Sequence, residues 1–305
     1  MSEVKKVLVV GLNMAGKSSI INILRNKYNL MDNIKPTVGI ERDELKILGI
    51  PILRWDLGGQ QKFREGYLKD IKIFAETDSL FFVIDAIDLN KYDTAVQYYE
   101  DIINIFKRLD INPNIIVCIH KMDPNIRNNP KVVSSVDEVK KLFLSKSSGH
   151  EISFFITSIY DRITIVEAFS KTLTALVVTL KPFKKLLKSI VHQFGLDCLI
   201  LFDEKLIILS ESYENAEIED LCLNMVYNGV SYLNSTNPQL INDYFANNFE
   251  FILNLRNKKK RFNFMKVKFK GWNLYLLAMS DERLNTDSIV TNFNLMVQQL
   301  KIPQD

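Results

Sequence analysis

The chain has 305 residues, which is enough for two domains of ordinary size. Hydrophobic residues make up 47% of it and charged residues 25%, proportions that are typical of a soluble globular protein. The net charge of +3 argues against a nucleic-acid binder, and no apolar run reaches the length that a membrane span requires.

The first predicted elements enclose a phosphate-binding motif. The apolar run Val7–Val10 predicts a buried strand, and Ser19–Leu24 predicts a helix. Between them, Gly11–Ser18 fits the pattern G-x-x-x-x-G-K-[ST] in the strand–loop–helix context that this motif requires. Its glycines allow the tight turn that aims backbone N–H groups at phosphate oxygens. The bland alternative is an ordinary strand-to-helix turn that contains two glycines.

Two side chains of this loop have specific predicted roles. Lys17 is the expected cation for the β- and γ-phosphates, and Ser18 offers a hydroxyl to Mg²⁺. The positive end of the helix that follows adds to the attraction for phosphate. The residues predicted to contact the phosphates are Gly11, Asn13, Ala15, Gly16, Lys17, Ser18 and Ser19.

Alternating strands and helices follow, up to about residue 181. The predicted strands are Glu44–Leu48, Ile52–Asp56, Leu80–Ile84, Ile115–Ile119 and Ile152–Ile156, and the predicted helices are Phe63–Lys72, Thr94–Leu109, a segment from Ser135 to Lys146, and Thr164–Leu180. Gly49–Pro51 is interpreted as a hairpin turn, and Ser135 with Glu138 as a capping box. Continuous apolar strands between helices predict an α/β domain with a mostly parallel sheet covered on both faces.

The order of elements changes after Lys181-Pro182, so residues 1–181 and 182–305 are predicted to be separate domains. In the second, the predicted order is helix Phe183–Phe194, strands Cys198–Phe202 and Leu206–Ser210, helix Ala216–Leu233, strands Glu250–Leu255, Asn263–Phe269 and Asn273–Met279, and helix Ser288–Leu300. Neighbouring strands without intervening helices predict an α+β domain with an antiparallel sheet. The basic run Lys258–Arg261 is interpreted as a solvated hairpin loop, with contact to an anionic membrane surface as the alternative.

Four residues outside the phosphate loop complete a predicted metal and hydrolysis site. Asp56 ends its strand where a carboxylate can hold Mg²⁺, and the hydroxyl of Thr37 can reach the same ion from a loop. Gly59 supplies a backbone N–H for the γ-phosphate, and Gln60 is placed to orient an attacking water. The predicted metal ligands are therefore Ser18, Thr37 and Asp56, and the predicted catalytic residues are Gln60, Lys17 and Thr37.

The segment His120–Asp123 follows an apolar strand and predicts base recognition. The carboxylate of Asp123 can accept both N1–H and N2–H of guanine, whereas adenine offers an acceptor at N1 and nothing at C2. The aliphatic stem of Lys121 can lie over the base. His120 stands where asparagine is usual, and a strand-end histidine without a role is the alternative. Ser158 and Ile159 follow the last strand of the domain and fit a loop whose backbone contacts the guanine carbonyl.

Together these motifs resemble the Rag/Gtr branch of small GTPases. The features that carry the resemblance are the phosphate loop, Pro36-Thr37, the run from Trp55 to Gln60, Phe63-x-Glu65-x-Tyr67, His120–Asp123, Thr157–Asp161 and Glu167–Ser170. The interswitch region before Gln60 resembles Arf-like proteins equally well. Residues 182–305 are similar in element order to the Rag roadblock domain, with Leu199–Asp203 as the best local match.

The resemblance implies a guanine-nucleotide switch that uses GTP, GDP and Mg²⁺. It also implies a homodimer, or a heterodimer with a related chain, formed through the roadblock domain. Implied partners are an activating protein, an exchange factor and a roadblock-type scaffold, in the cytoplasm and at a membrane only through partners. One departure is Asn13, which stands where many GTPases have glycine and can slow hydrolysis or impede an arginine finger.

Two alternatives to a hydrolysing switch remain open. A dimeric scaffold with structural nucleotide and little turnover would have no use for Gln60, and Asp123 argues against an ATP-dependent enzyme. The predicted helix Ala216–Leu233 has apolar residues on two sides, one with Leu221, Met225 and Tyr232, the other with Leu223, Tyr227 and Val230. A helix on one sheet needs only one such side, so the second is expected to face a partner, or else another helix of the same chain.

The cysteines and chain ends carry weaker expectations. Cys118, Cys198 and Cys222 are far apart and fit neither a zinc spacing nor a disulfide framework, which predicts buried thiols in a reducing compartment. The early first strand leaves no room for a signal peptide, Ser2 excludes N-myristoylation, and the last four residues contain no prenylation cysteine.

Overall fold

The computed structural model describes residues 4–24, 37–47, 50–176, 180–204, 206–229, 249–255 and 258–300. The chain forms two compact units, of which the first ends at Leu176 and the second begins at Val177. In the described part of the chain, no helix is both long and apolar enough to cross a membrane.

The first unit is built on a six-stranded sheet whose order is β2-β3-β1-β4-β5-β6. Its strands are β1 (Lys5–Gly11), β2 (Ile40–Ile47), β3 (Ile50–Leu57), β4 (Ser79–Asp85), β5 (Asn114–His120) and β6 (Ile152–Thr157). Its helices are α1 (Lys17–Leu24), α2 (Gln61–Lys69), α3 (Tyr92–Leu109), α4 (Pro130–Lys146) and α5 (Arg162–Leu176), with 3₁₀ turns at Ile71–Ile73 and Leu89–Lys91. Only β2 among these strands runs antiparallel to its neighbour, so the predicted mostly parallel α/β sheet is confirmed.

Burial explains why the apolar strands are continuous. Strands β1, β4 and β5 lie in the middle of the sheet, and nearly all their residues are buried, as expected when helices cover both faces. The ring of Phe82 on β4 meets Tyr99 of α3 and Phe143 of α4 edge-on, with centroids 5.6 and 5.3 Å apart. This core fixes the carboxyl ends of the parallel strands along one edge of the sheet, where α/β proteins bind their ligands.

The second unit is built on a five-stranded antiparallel sheet in the order β8-β7-β11-β10-β9. Its elements are α6 (Lys181–Phe194), β7 (Cys198–Asp203), β8 (Ile208–Tyr213), a 3₁₀ turn (Ala216–Ile218), α7 (Glu219–Asn224), a π-helical turn (Met225–Gly229), β9 (Phe249–Leu255), β10 (Lys258–Phe269), β11 (Trp272–Ser280) and α8 (Thr286–Gln298). The predicted α+β class is confirmed. All three cysteines are buried and unbridged, as predicted.

The predicted hairpin between the second and third strands is confirmed, because β2 and β3 pair antiparallel as far as Ile47 and Ile50. Its turn is shorter than predicted, since Ile50 and Pro51 belong to β3, and the rest of the predicted turn lies outside the described residues. The predicted capping box at Ser135 was wrong. Helix α4 begins at Pro130 and not near Ser135, because the side chain of Asn129 caps it by accepting the N–H of Lys131 at 3.0 Å.

The basic run Lys258–Arg261 was predicted to be a hairpin loop, but it forms the first four residues of β10. Lys260 is held there because its ammonium group contacts the carboxylates of Asp197 at 2.8 Å and Asp281 at 2.5 Å. Arg261 pairs with Glu250 on the neighbouring strand at 2.9 Å. Charge pairing across strands therefore allows residues that are otherwise typical of a loop to lie in the sheet.

The helix predicted for Ala216–Leu233 is also different. A 3₁₀ turn, α7 and the π-helical turn follow one another up to Gly229, and positions 230–233 lie outside the described residues. Of the side expected to face a partner, Leu223 is buried and Tyr227 is only 1% exposed within the single chain. On the other side, Leu221 and Met225 are half-buried.

Candidate functional site

The phosphate loop connects β1 to α1, as the motif predicts. Ala15 is buried in this loop, whereas Asn13 and Met14 face solvent. Lys17 is only 6% exposed, and its ammonium group donates to the carbonyls of Gly11 and Leu12, at 3.1 Å each. The lysine therefore lies along the inner side of the loop, where a phosphate group would meet it.

Three oxygen-bearing side chains meet beside this lysine. The hydroxyl oxygens of Ser18 and Thr37 are 3.2 Å apart, and the Thr37 hydroxyl donates to Oδ2 of Asp56 at 3.1 Å. Asp56 is 3% exposed, and its Oδ1 is buried without a hydrogen-bond partner among the described residues. The structure thus brings together the three side chains that the sequence predicted as metal ligands.

The electrostatics of this cluster reflect its burial. Burial lowers the pKa of Lys17 to about 8. The nearby Asp56 carboxylate opposes this shift, and the charge of Arg64 adds to it. Burial raises the pKa of Asp56, against the opposing influence of Lys17 and the hydrogen bond from Thr37. Both charges are thus poorly solvated, and an anionic phosphate together with a divalent cation would supply the counter-charges that each lacks.

The segment after β3 lies directly against the phosphate loop. A Cβ at Gly59 would come within 2.4 Å of the Leu12 carbonyl carbon and 2.5 Å of the Asn13 nitrogen, so only glycine fits. Gln60 follows, half-buried, at the start of α2, and its carbonyl accepts the N–H groups of Phe63 and Arg64. The structure therefore places Gly59 and Gln60 at the phosphate end of the site.

The opposite end of the site is formed by the loops after β5 and β6. The Ser158 hydroxyl donates to Oδ1 of Asp123 at 2.5 Å, which orients that carboxylate. Lys121 adopts the left-handed conformation (φ 66°) and its ammonium group donates to Asp85 at 2.7 Å. A further ion pair, Arg127 with Asp161 at 2.9 Å, connects the same two loops.

In the loop after β6, the N–H groups on either side of Ile159 have partners within the loop. The N–H of Ser158 donates to the Thr164 hydroxyl, and the N–H of Tyr160 donates to the hydroxyl of Ser158. Ile159 lies between these two occupied amides. The contact of the Ile159 N–H with a base carbonyl stays a prediction, and the two neighbouring amides are already occupied.

His120 connects the two ends of the site. Its Nδ1 lies 3.0 Å from the Thr157 hydroxyl, and its ring packs on Gly16, where a Cβ would be 2.3 Å from Cδ2 of the imidazole. Burial lowers the pKa of His120 to about 4, and the charge of Lys121 lowers it further. The ring is therefore neutral near pH 7 and supports the phosphate loop by direct packing.

Several residues of the site were not assigned by sequence reasoning. Asp85 could have been expected from its position at the carboxyl end of β4, next to the base-recognition loop. Arg64 donates to the Gly59 carbonyl at 3.2 Å and its guanidinium lies 5.1 Å from the centroid of the Tyr98 ring. No local pattern of residues predicts the contacts of Arg64 or of the Arg127–Asp161 pair, because each depends on how distant segments pack.

The fold and the site together define a P-loop small GTPase, the class of proteins that bind GTP or GDP with Mg²⁺. Residues 6–232 match the Gtr1/RagA G protein conserved region, which is more than two thirds of the chain. The chain therefore belongs to the Gtr1/RagA family of G proteins.

Individual relatives are similar at a moderate level. The GTP-binding protein gtr1 of Schizosaccharomyces pombe is 28% identical over 220 residues, which cover 69% of this chain and 69% of that protein. Ras-related GTP-binding protein C of Mus musculus is 29% identical over 236 residues, covering 72% of this chain and 57% of its own length. GTP-binding protein GTR1 of Saccharomyces cerevisiae is 27% identical over 230 residues, 70% of each chain.

One solved structure is a more distant likeness. The Arl6 small GTPase of Trypanosoma brucei with a bound nucleotide analogue, GppNp, is 20% identical, with a TM-score of 0.44 over 57% of this chain and 98% of that one.

Proposed function

We propose that this chain is a guanine-nucleotide switch that binds GTP, hydrolyses it slowly and signals through partners recruited in one nucleotide state. The observation that carries the proposal is the position of Thr37, whose hydroxyl lies between Ser18 and Asp56 at the phosphate end of the site. A loop threonine placed in this way closes one segment of the chain over the nucleotide. Loss of the γ-phosphate would release it, which is how a switch reports its state.

The phosphate loop would bind the triphosphate. Its backbone N–H groups and the start of α1 would hold the phosphate oxygens, and Lys17 would exchange the carbonyls of Gly11 and Leu12 for the β- and γ-phosphates. Ala15 and Ser19 flank this contact at the loop and at the first turn of α1. Since burial lowers the pKa of Lys17, an anion beside it restores a favourable environment for its charge.

Ser18, Thr37 and Asp56 would hold Mg²⁺. The fit rests on the buried, unpartnered Oδ1 of Asp56 and on three oxygen donors already in mutual contact, the kind of ligand that Mg²⁺ prefers. When bound, Mg²⁺ neutralises charge on the phosphate oxygens. Mg²⁺ would also give Asp56 a second positive partner. The raised pKa of Asp56 shows that Lys17 alone does not offset the burial of this carboxylate.

Hydrolysis would depend on Gln60, which is proposed to orient the attacking water, while the N–H of Gly59 contacts the γ-phosphate. We expect a rate on the order of 10⁻⁴ to 10⁻² s⁻¹, since no arginine finger is supplied. Asn13 is exposed in the phosphate loop, and its backbone nitrogen is among the atoms nearest to the position that a Cβ at Gly59 would take. A side chain at this position is proposed to slow hydrolysis further and to restrict access for an activating protein.

Guanine would be selected at the other end of the site. Asp123 is proposed to accept N1–H and N2–H of the base while Ser158 holds its carboxylate. The stem of Lys121 would cover one face of the base, with its ammonium group on Asp85. The Ile159 N–H would donate to the guanine carbonyl, and His120 would keep the phosphate loop in place from below.

A single-turnover measurement of GTP hydrolysis tests the switch. Gln60→Leu should slow hydrolysis at least about tenfold with nearly unchanged nucleotide affinity, because a water-orienting residue acts on the transition state. Gln61→Leu is the matched control, since Gln61 is the next residue and bonds only Glu65 in the described structure, at 2.9 Å. An unaltered rate in Gln60→Leu would favour the scaffold with structural nucleotide.

We also propose that the chain pairs through its second unit, either with a second copy or with a related G protein. Support comes from the half-buried Leu221 and Met225, four positions apart and therefore on one side of the segment at α7. Tyr227 cannot belong to this surface, because it is buried within its own chain. An activating protein, an exchange factor and a roadblock-type scaffold at a membrane are the further partners we propose.

Sedimentation of the full chain tests the pairing. A symmetric homodimer should appear at tens of micromolar, and Leu221→Asp with Met225→Asp should convert it to a monomer that still binds nucleotide. Arg108→Asp, on α3 in the first unit, is the control for a change of charge outside the second unit. A wild-type monomer at this concentration would exclude the homodimer, and unchanged sedimentation of a dimer in the double variant would place the interface elsewhere.

A further inference from the structure

A buried tyrosine connects α2 to the segment that carries Thr37. The hydroxyl of Tyr67 donates to the Gly39 carbonyl at 2.7 Å. The same carbonyl accepts the backbone N–H of Gly58 at 3.0 Å. The Gly39 carbonyl thus accepts hydrogen bonds from two residues that follow β3. Gly39 itself lies only two residues after Thr37.

The tyrosine is well anchored, whereas the residue between Thr37 and Gly39 is exposed. Tyr67 is 6% exposed and packs in the main apolar core of the first unit. Val38, between Thr37 and Gly39, is 73% exposed, so its side chain contributes little packing that would keep the segment in place. The two hydrogen bonds to the Gly39 carbonyl therefore help to fix the backbone next to Thr37, in addition to the contacts of the Thr37 hydroxyl with Ser18 and Asp56.

The hydroxyl of Tyr67 is suited to act as a permanent donor. Burial raises its pKa above the ordinary value of tyrosine, so the proton stays on the oxygen throughout the physiological range. Its bond also ends on a backbone carbonyl, which is the same whatever side chains the segment carries. The contact thus does not depend on pH near neutrality.

We propose that Tyr67 is a positioning residue that keeps Thr37 closed over the nucleotide site through the Gly39 carbonyl. This inference rests on the proposed function, because it assigns to Tyr67 a share in the same switch. The contact couples the two segments that must both respond to the γ-phosphate: the loop of Thr37, and the run of Gly58, Gly59 and Gln60. Loss of the hydroxyl should therefore weaken the closed state without removing any group that touches nucleotide.

The test compares Tyr67→Phe with wild type in the full chain, using a fluorescent, non-hydrolysable GTP analogue and fluorescent GDP. Removing one hydrogen bond should speed dissociation of the GTP analogue by between about twofold and tenfold and raise the Mg²⁺ concentration needed to retain it. GDP dissociation should change by less than about twofold, because the closed segment responds to the γ-phosphate. Single-turnover GTP hydrolysis should slow by a similar factor.

A matched control separates positioning from loss of stability. Tyr99→Phe removes a buried hydroxyl of the same core, on α3, which contacts the Ser147 hydroxyl at 2.8 Å. Thermal unfolding of both variants without nucleotide should be similar, and only Tyr67→Phe should change the Mg²⁺ dependence. Equal effects of the two variants on dissociation of the GTP analogue would overturn the inference.

A double variant gives the sharpest outcome. In a Thr37→Ala background, Tyr67→Phe should add nothing to the dissociation rate, since the group that it positions is absent. Additive effects of the two substitutions would contradict the proposal even if the single variant is slow to hydrolyse. Failure of the wild-type chain to retain either guanine nucleotide would instead refute the proposed function on which the inference rests.

Discussion

The imidazole of His120 lies against Gly16 of the phosphate loop so closely that a single methyl group at Gly16 would be 2.3 Å from Cδ2 and 2.7 Å from Nε2 of the ring. The two residues belong to different predicted motifs, one for phosphate and one for the base. Their contact makes the base-recognition loop a support for the phosphate loop. His120 performs this role as a neutral ring, since its pKa is lowered to about 4.

This contact predicts an acid-sensitive first unit. Because the folded-state pKa of His120 lies below the unfolded value near 6.5, the folded chain binds fewer protons between these values, and its stability falls as pH decreases through this window. Between pH 7 and pH 5 the wild type should lose about 2 kcal/mol more than His120→Asn, measured by urea unfolding without nucleotide. His150→Asn, at a half-buried histidine of the same unit, is the control. Identical pH profiles for wild type and His120→Asn would show that the ring is not held in its neutral form.

The bond from Ser158 to Asp123 predicts a contribution to base recognition by a residue that need not touch the base. Ser158→Ala removes a charge-assisted hydrogen bond that orients the carboxylate, so GDP affinity should fall about tenfold or more. ATP affinity should not change, because the carboxylate has no partner on adenine. Isothermal titration measures both, with Ser145→Ala, an exposed helix serine, as control. Wild-type GDP affinity in Ser158→Ala would mean that Asp123 is oriented by other groups.

Reversing the hydrogen-bond pattern at Asp123 is expected to change which nucleotide the site binds more tightly. An amide at this position can donate to the oxygen that xanthine carries where guanine has an amino group. Asp123→Asn should therefore bind xanthosine diphosphate more tightly than GDP, the opposite of the wild-type order. A competition assay with the two diphosphates decides, and a variant that still prefers GDP would remove Asp123 from base recognition.

Lys260 predicts a salt-dependent contribution to the second unit. Burial of its ammonium group opposes the charge, but the hydrogen bonds to Asp197 and Asp281 outweigh this and raise the pKa of Lys260. Lys260→Met should lower the free energy of unfolding by about 1 kcal/mol at low salt, and by less at 1 M NaCl, where ion pairs at partly exposed sites are screened. Lys259→Met, at the exposed neighbour on β10, is the control. Equal urea midpoints for the two variants at low salt would show that the pairs do not stabilise the sheet.

Much of the fold could be predicted from local sequence, and the reason is physical. The middle strands of the parallel sheet are apolar without interruption because both their faces are buried, and the phosphate loop needs its glycines and lysine in fixed order. The structure of those segments is therefore determined by their own local sequence. The predicted metal side chains come together because Ser18 follows the phosphate loop, Asp56 lies near the end of β3 and Thr37 lies shortly before β2.

What could not be predicted depends on partners distant in sequence. The run at Lys258–Arg261 resembles a loop until Asp197 and Asp281 are known to lie beside it. Helix α4 starts at an Asx cap followed by proline, a signal that the apparent capping box at Ser135 concealed. The burial of Tyr227 depends on how its segment packs within the second unit. The periodicity of apolar residues gives no information about that packing.

The central claim is that the site binds guanine nucleotides, and a competition titration tests it most directly. The full wild-type chain is loaded with fluorescent GDP in Mg²⁺, and unlabelled GTP, GDP or ATP is added. The arrangement of Asp123, Ser158 and Ile159 predicts that GTP and GDP displace the probe at similar concentrations, whereas ATP requires at least about a hundredfold more, because it forfeits the paired charge-assisted hydrogen bonds to the carboxylate. Displacement by ATP at the same concentration as GTP would contradict the account.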